Sequence, residues 1–228
     1  MLNLPILPRP RLTELIDRAT RHKVAVVCGP AGAGKTVACS VWAAAPSGDR
    51  RVVWLTLNAD EDETWFWADL YARLKGARLI SREAAAYLEE GPADGFPFRL
   101  VEMTRHLEVP VVLVLDNIHS LADGAIVAGL DVLIRHAPPN LCLLLCGRHV
   151  PGISMDRLRA SGELATVGAA DLACTSDEAD AYLAMLGPEF AGLRRDEWPG
   201  WIGELRRAVM CGEVRADPSS ADDDAGAG

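Results

Sequence analysis

Lysine is scarce in this chain, and a surplus of positive charge is absent. Lys23, Lys35 and Lys75 are the only lysines among 228 residues, and the formal net charge is −9. A chain of this charge lacks the broad basic surface that attracts nucleic acid, and no basic recognition helix is visible. We therefore expect no direct DNA binding by these residues.

Long apolar runs and paired cysteines are missing as well. No apolar stretch approaches the roughly 18 residues of a membrane span, and residues 1–5 lack the basic start and apolar core of a signal peptide. The six cysteines are scattered, without the paired C-x-x-C spacing of a zinc site. These absences predict a cytoplasmic chain with buried free thiols and no membrane contact.

The most informative stretch is residues 29–36, which fits the phosphate-loop pattern G-x-x-x-x-G-K-[ST]. A short β-branched run precedes it and a helical segment follows, so backbone N–H groups and a positive helix end converge on one point. Polyphosphate is the natural occupant of such a point. The predicted nucleotide-binding residues are Gly29, Pro30, Ala31, Gly32, Ala33, Gly34, Lys35, Thr36 and Val37.

Apolar strands that alternate with helices predict an α/β fold with a parallel sheet covered on both faces. Five strands are expected, at residues 23–28, 51–57, 111–115, 141–146 and 164–167. Helices are expected at residues 13–20, 37–45, 65–74, 81–90, 98–108, 122–136, 155–161, 176–185 and 198–209. Thr13 is the predicted cap of the first helix and Thr175 or Ser176 that of the eighth.

Four segments are predicted along the chain. Residues 1–22 form an N-terminal extended segment and helix, and residues 23–170 form the phosphate-loop core. Residues 171–214 form a helical extension, and residues 215–228, rich in Ala, Asp, Gly and Ser, form a disordered acidic tail.

A phosphate loop binds nucleotide, but hydrolysis also needs a metal ion and an oriented water. Mg²⁺ prefers oxygen ligands, and we expect Thr36 to supply a hydroxyl and Asp116 a carboxylate. Asp116 ends an apolar strand, where ligands gather in parallel sheets. The alternative for Asp116 is a cap for the turn that follows.

The predicted catalytic residues are Lys35, Asp116, Asn117 and Arg148. Arg148 follows the fourth strand and would sense the γ-phosphate, or else it is a solvated arginine. Asn117 stands where a general base is expected, and an amide cannot take a proton. His119 is either a contributor to this chemistry or structural. We therefore predict normal nucleotide binding and slow turnover.

Together these segments resemble the nucleotide-binding module of the STAND-class signalling ATPases, and most closely the MalT-like family of large LuxR-type transcriptional regulators. The resemblance extends over about residues 7–186. The segments that carry it are residues 9–12, 29–36, 53–58, 113–119, 147–151, 158–164 and 170–179.

This resemblance implies a five-stranded P-loop NTPase sandwich in which the strand before Arg148 lies between those of Lys35 and Asp116. It also implies ATP and Mg²⁺ as ligands, ADP-bound resting and ATP-bound active states, and assembly into homo-oligomers. The chain departs from the family in three respects. A second acid is replaced by Asn117, a Gly-x-Pro motif survives only as Glu197-Trp198-Pro199, and no sensor or helix-turn-helix region is present.

The sequence thus predicts an ATP-binding regulatory switch module with weak ATPase activity. Arg9 and Arg11 lie either near the nucleotide or in a solvated basic turn. One alternative is a truncated homologue that holds ATP or ADP without hydrolysis and pairs with a full-length regulator homologue. Another is a P-loop small-molecule kinase, for which Arg157 and Arg159 are the nearby candidates for a lid.

Overall fold

The sheet of this protein is built from five short, apolar strands. The structure is a computed structural model that describes residues 5–45, 50–60, 62–80, 96–105, 107–121, 124–187, 200–204 and 206. The strands are β1 (Val24–Cys28), β2 (Arg51–Thr56), β3 (Val111–Asp116), β4 (Leu141–Gly147) and β5 (Leu164–Val167). They are parallel and lie in the order β2-β3-β4-β1-β5, so β4 separates β1 from β3.

Helices connect these strands. They are α1 (Pro10–Ala19), α2 (Lys35–Ala44), α3 (Glu63–Gly76), α4 (Phe96–Thr104), α5 (Gly124–His136), α6 (Met155–Ala160), α7 (Ala169–Leu172) and α8 (Ser176–Leu186), with a 3₁₀ turn at Ile118–Ser120. Within the described ranges, no helix is both long enough and apolar enough to cross a membrane.

Two apolar layers enclose the sheet. Successive side chains of a strand point to opposite faces, so a strand buried on both faces has a continuous apolar sequence, as in β3 and β4. One face packs against α3, α4 and α5, and the other packs against α1 and α2. The predicted five-stranded α/β P-loop architecture is confirmed.

The first helix begins earlier than predicted. It starts at Pro10, with Arg9 as the N-cap, and the predicted cap Thr13 is wrong because its hydroxyl lies inside the helix, 3.5 Å from the Arg9 carbonyl. Proline has a fixed φ and no N–H, which suits the first helical position. The eighth predicted helix is confirmed, and the Thr175 hydroxyl accepts the N–H of Glu178.

Three other helix predictions differ from the structure or fall partly or wholly outside the described residues. The helix predicted at residues 98–108 begins at Phe96 and ends at Thr104. The predicted helix at 81–90, half of that at 198–209 and the acidic tail lie outside the described residues.

Gly129 lets α5 approach α3 and α4 closely. A Cβ at this position would lie 2.3 Å from Cζ2 of Trp67 and 2.9 Å from Cγ of Pro97. Trp67 is 4% exposed and belongs to the larger core cluster, so the ring has little freedom to move away. The close packing of these helices therefore depends on a missing side chain in the middle of α5.

We predict that Gly129→Ala destabilises the protein, although alanine is the better helix former. The added methyl group overpacks the contact with Trp67, which costs about 1–3 kcal/mol of unfolding free energy. Urea unfolding would measure the loss. Gly124→Ala is the matched control, because a Cβ there meets no atom within 4 Å. Equal stabilities of the two variants would contradict the prediction.

Candidate functional site

The phosphate loop joins the end of β1 to the start of α2. Gly32 and Gly34 have φ values of +78° and +79°, a left-handed region that glycine enters without steric cost. Gly29 is glycine for another reason, because a Cβ there would lie 3.0 Å from Cδ1 of Leu172. The loop thereby directs its backbone N–H groups and the N-terminus of α2 toward the same space.

Lys35 is held by its own loop. Its Nζ donates to the carbonyl oxygens of Gly29 and Pro30, at 2.9 and 2.8 Å. These are bonds to neutral acceptors within the loop. A bound anion would offer the ammonium group a stronger, charge-assisted partner.

Thr36 and Asp116 meet although they lie 80 residues apart in the chain. The Thr36 hydroxyl donates to Oδ1 of Asp116 at 3.0 Å. Thr36 lies in the first turn of α2, and Asp116 ends β3, which is separated from β1 by β4. Asp116 is 2% exposed, and no ion pair to it is present among the described residues.

A cavity of about 740 Å³ opens above this pair. Its lining has two distinct parts. The polar part comprises Lys35, Thr36, Asn117, His119 and Arg148. The mainly apolar part comprises Ile6, Leu7, Leu12, Val37, Val41 and Ile202, and the polar residues Arg9, Thr13 and Arg206 of the same segments also line the cavity. The strand order separates them: Asn117, His119 and Arg148 follow β3 and β4, on one side of β1, whereas the N-terminal segment is tied to residues after β5, on the other.

Most of the predicted site residues line this cavity, and the others lie next to lining residues. Ala31, Gly32, Gly34, Lys35, Thr36, Val37, Asn117 and Arg148 line it. Gly29 and Pro30 supply the carbonyls for Lys35, and Ala33 is buried in the core. Asp116 lies behind Thr36. The strand that Arg148 follows lies between β1 and β3, as the resemblance implied.

Arg9 anchors the N-terminal segment. Its guanidinium donates to the carbonyls of Leu172 and Ala173 and to Oε2 of Glu178, all within 2.9 Å. Arg11 donates to the Ala173 carbonyl at 3.1 Å. Arg9 and Arg11 therefore do not form the solvated basic turn considered above, because both side chains donate hydrogen bonds to residues at the end of α7 and the start of α8. Arg9 still lines the cavity with its side chain.

Glu178 completes this anchor. Burial raises the pKa of its carboxyl, but the hydrogen bonds from Arg9 and from the Thr175 N–H, with the charges of Arg9 and Arg11, outweigh burial and leave the pKa below its ordinary value. The carboxylate is therefore charged at neutral pH, and the anchor is an ion pair supported by a helix capping box.

The segment around Gly203 closes one side of the cavity, a contact that the sequence did not predict. The Gly203 N–H donates to the Gly32 carbonyl at 3.2 Å, and a Cβ on Gly203 would lie 2.4 Å from that oxygen. Ile202 and Arg206 line the cavity, and Arg206 donates to the Pro5 carbonyl. The proposed Gly-x-Pro counterpart, Glu197-Trp198-Pro199, lies outside the described residues. In the sequence, Gly203 is the residue that indicates a close backbone contact, because a side chain there would not fit.

Comparisons with known proteins agree with this geometry. No family model matches the chain. It is 28% identical over 220 residues to the serine/threonine-protein kinase PknK of Mycobacterium tuberculosis, a match of 90% of this chain and 20% of that protein. It is 27% identical over 213 residues to the HTH-type transcriptional regulator MalT of Cronobacter sakazakii, a match of 89% of this chain and 23% of that protein.

The fold has a solved counterpart. A STAND protein with a tetratricopeptide repeat sensor from Pyrococcus horikoshii superposes with a TM-score of 0.56 at 15% identity, over 92% of this chain and 28% of that one. The resemblance to the MalT-like STAND module is confirmed. The chain spans a fifth to a quarter of the curated relatives that it matches.

Asp116 has few polar partners in its buried position. The carboxylate is almost fully buried, and its polar neighbours are neutral, namely the Thr36 hydroxyl and the Cys146 thiol. Contact with the Cys39 thiol, burial and the charge of Asp116 together raise the pKa of the Cys146 thiol. A buried carboxylate without a cation is a feature expected of a metal ligand rather than of a structural residue.

We predict that Asp116→Asn leaves the fold intact and changes the unfolding free energy by no more than about 1 kcal/mol, because the amide oxygen can still accept the Thr36 hydroxyl. Urea unfolding in the absence of Mg²⁺ would measure this change. Asp60→Asn is the control, since that residue is exposed and does not line the cavity. A large loss of stability in Asp116→Asn would mean that the carboxylate is structural.

Proposed function

We propose that this chain is an ATP-binding regulatory switch module whose ATP hydrolysis is slow. The observation that carries the proposal is the contact between Thr36 and Asp116 beside a loop of phosphate-binding shape. Turn glycines alone would account for the loop. They do not account for a hydroxyl and a buried carboxylate brought together at its far end.

The phosphate half of the proposed site is supported by Lys35 and the loop backbone. The loop already has the conformation that directs N–H groups at an anion, so little reorganisation is needed when phosphate binds. Lys35 would exchange two carbonyl acceptors for phosphate oxygens. Arg148 lies at the same end of the cavity and adds a second cation.

The residues present fit a magnesium ion. Mg²⁺ takes oxygen ligands, keeps several waters and is usually held by one or two protein groups together with the phosphates. Thr36 and Asp116 are two such groups, already 3.0 Å apart. The ion would neutralise phosphate charge when bound. Its ligands would be these two side chains, Thr36 directly and Asp116 directly or through water.

The base half is supported by the apolar part of the cavity. Ile6 and Val37 are 54% and 42% exposed, and both line the cavity. A nucleobase would cover this surface, and about 740 Å³ lies in the range of small-ligand sites. Because this wall lies on the β5 side of β1, the base is assigned to that side and the last phosphate to the side of β3 and β4.

The switch role is supported by the contact of Gly203 with Gly32. The segment around Gly203 touches the backbone of the phosphate loop, so a ligand that shifts the loop would also shift the segment. We propose that the helical extension of residues 171–214 reports the nucleotide state of the core, with ADP-bound resting and ATP-bound active states and homo-oligomers of the active form. The division at residues 22, 170 and 214 is part of this proposal.

The two alternatives differ in their support. For a small-molecule kinase, Arg157 and Arg159 would have to reach the phosphates, but neither lines the cavity, and Arg159 pairs with Asp156 at 2.9 Å. The kinase named among the relatives is a much longer protein. A non-hydrolysing interaction module shares the same binding site, and only turnover distinguishes it from a slow ATPase.

We predict that Lys35→Ala weakens binding of Mg·ATP at least about tenfold, because a charge-assisted bond to phosphate is lost. Isothermal titration calorimetry of the purified chain would measure it. Lys75→Ala is the control, since Lys75 is exposed on α3 and does not line the cavity. Absence of ATP binding to the unaltered chain would refute the proposed function.

We predict that Asn117→Asp raises the rate of ATP hydrolysis by about two orders of magnitude, because a carboxylate can take a proton from the attacking water and an amide cannot. Asn117→Ala, which supplies no base, should give no gain. Phosphate release under saturating Mg·ATP is the measurement. Turnover of tens per second by the unaltered chain would show that Asn117 is not a handicap.

A further inference from the structure

His119 occupies a defined place in the cavity that the proposed function has not used. Asn117 has φ +60° and ψ 34°, a left-handed conformation that turns the chain directly after β3. The 3₁₀ turn that follows buries Ile118 completely and leaves His119 half-buried in the lining of the cavity. The turn therefore places the imidazole in the cavity that Lys35, Thr36 and Arg148 also line.

Gly147 fixes the position of this ring. A Cβ at the end of β4 would lie 3.2 Å from Nδ1 of His119 and 2.7 Å from Cγ2 of Ile118. The imidazole thus packs against the bare α-carbon of Gly147. Its neighbour His149 lies with its ring centroid 6.1 Å from that of His119, at an interplanar angle of 72°. The ring of His119 therefore packs against the end of β4 and the segment that follows it, and is half-buried.

The two ring nitrogens of His119 have different surroundings. Nδ1 is buried and has no hydrogen-bond partner among the described residues. Nε2, in contrast, is not a buried atom without a partner. A buried N–H without an acceptor is costly, so the proton of the neutral ring belongs on Nε2. Neutral His119 therefore presents an N–H donor on the ring edge away from Gly147.

The charges around His119 keep the ring neutral. Burial is the largest cause that lowers its pKa, and the positive charges of Arg148, His149 and Lys35 lower it further, whereas Asp116 opposes them. These four residues are the titratable and charged groups that act on the ring from α2, β3 and the segment after β4. A neutral ring with its proton on Nε2 can donate a hydrogen bond from that atom but cannot accept a proton there.

We propose that His119 is a specificity-determining residue that donates from Nε2 to the terminal phosphate of a bound nucleoside triphosphate and so favours ATP over ADP. The inference rests on the proposed ATP site and names a residue of its discriminating end. His119 lies with Asn117 and Arg148 on the side of β3 and β4, opposite the apolar wall, where the last phosphate is expected.

The positions of the two ring nitrogens also argue against His119 as a general base. A histidine beside a missing general base could replace it, which would require an unprotonated nitrogen facing the water. The free lone pair here is on Nδ1, which packs against Gly147. Discrimination by a donor is therefore compatible with slow hydrolysis, whereas a substitute base would not be.

The test compares binding of Mg·ATP and Mg·ADP to the full chain by titration calorimetry. His119→Ala should weaken ATP binding about tenfold, the value of a hydrogen bond to a charged group, and leave ADP binding unchanged. His136→Ala is the control, because His136 is exposed on α5 and does not line the cavity. Thermal unfolding of each variant would report any loss of the fold separately.

Two isosteric variants make the test independent of the alanine variant. The amide nitrogen of glutamine lies at about the position of Nε2, and that of asparagine at about the position of Nδ1. His119→Gln should therefore keep the preference for ATP, and His119→Asn should lose it. A merely structural histidine would not produce this order, because both amides would disturb the packing in a similar way.

The outcomes separate this inference from the proposed function. If the unaltered chain binds neither nucleotide, both fall. If it binds both and His119→Ala keeps the ratio of ATP to ADP affinity, or loses both affinities equally, only the role of His119 is overturned. The same holds if asparagine, rather than glutamine, preserves the preference, or if His119→Gln accelerates or abolishes hydrolysis without changing that ratio.

Discussion

The hydrogen bond from Thr36 to Asp116 is the contact on which the site depends. It joins the first turn of α2 to the end of β3 across the intervening strand β4. Four features of the chain must agree for it to form: the glycine loop, the helix that follows, the parallel sheet and the strand order. It also keeps a carboxylate buried at 2% exposure beside neutral groups. Such an arrangement is costly for stability, which is the reason to assign it to ligand binding.

The cavity has two chemically different halves because its lining comes from elements on opposite sides of β1. Elements after β3 and β4 supply polar and cationic groups, and the N-terminal segment, held to the residues after β5 by Arg9, supplies much of the apolar wall. A ligand with an anionic end and a flat apolar end would match both halves. The segment around Gly203 contacts the phosphate loop, which lies between the two halves.

The local chemistry and the proximity of Thr36 to Asp116 were predictable from the sequence, but the contacts of the N-terminal segment and of the segment around Gly203 were not. The phosphate loop, the strands and Asp116 follow from short patterns whose physical meaning does not depend on the rest of the fold. The helix start at Pro10 was missed because Thr13 is also a good cap, although proline at the first helical position was the stronger signal. Arg9 was predicted near the nucleotide or in solvent, yet it bonds to carbonyls more than 160 residues away. Ile202 and Gly203 were unpredictable for the same reason.

Hydrogen–deuterium exchange of the intact chain with and without Mg·ATP tests the central claim most directly. The account predicts slower exchange in peptides that cover residues 29–36, 111–119 and 200–204, because these surround the phosphates, the metal ligands and the closing segment. Exchange in residues 139–142, at the amino end of β4 and away from the cavity, should not change. Protection that spares residues 29–36, or that appears only at residues 139–142, would contradict the proposed site.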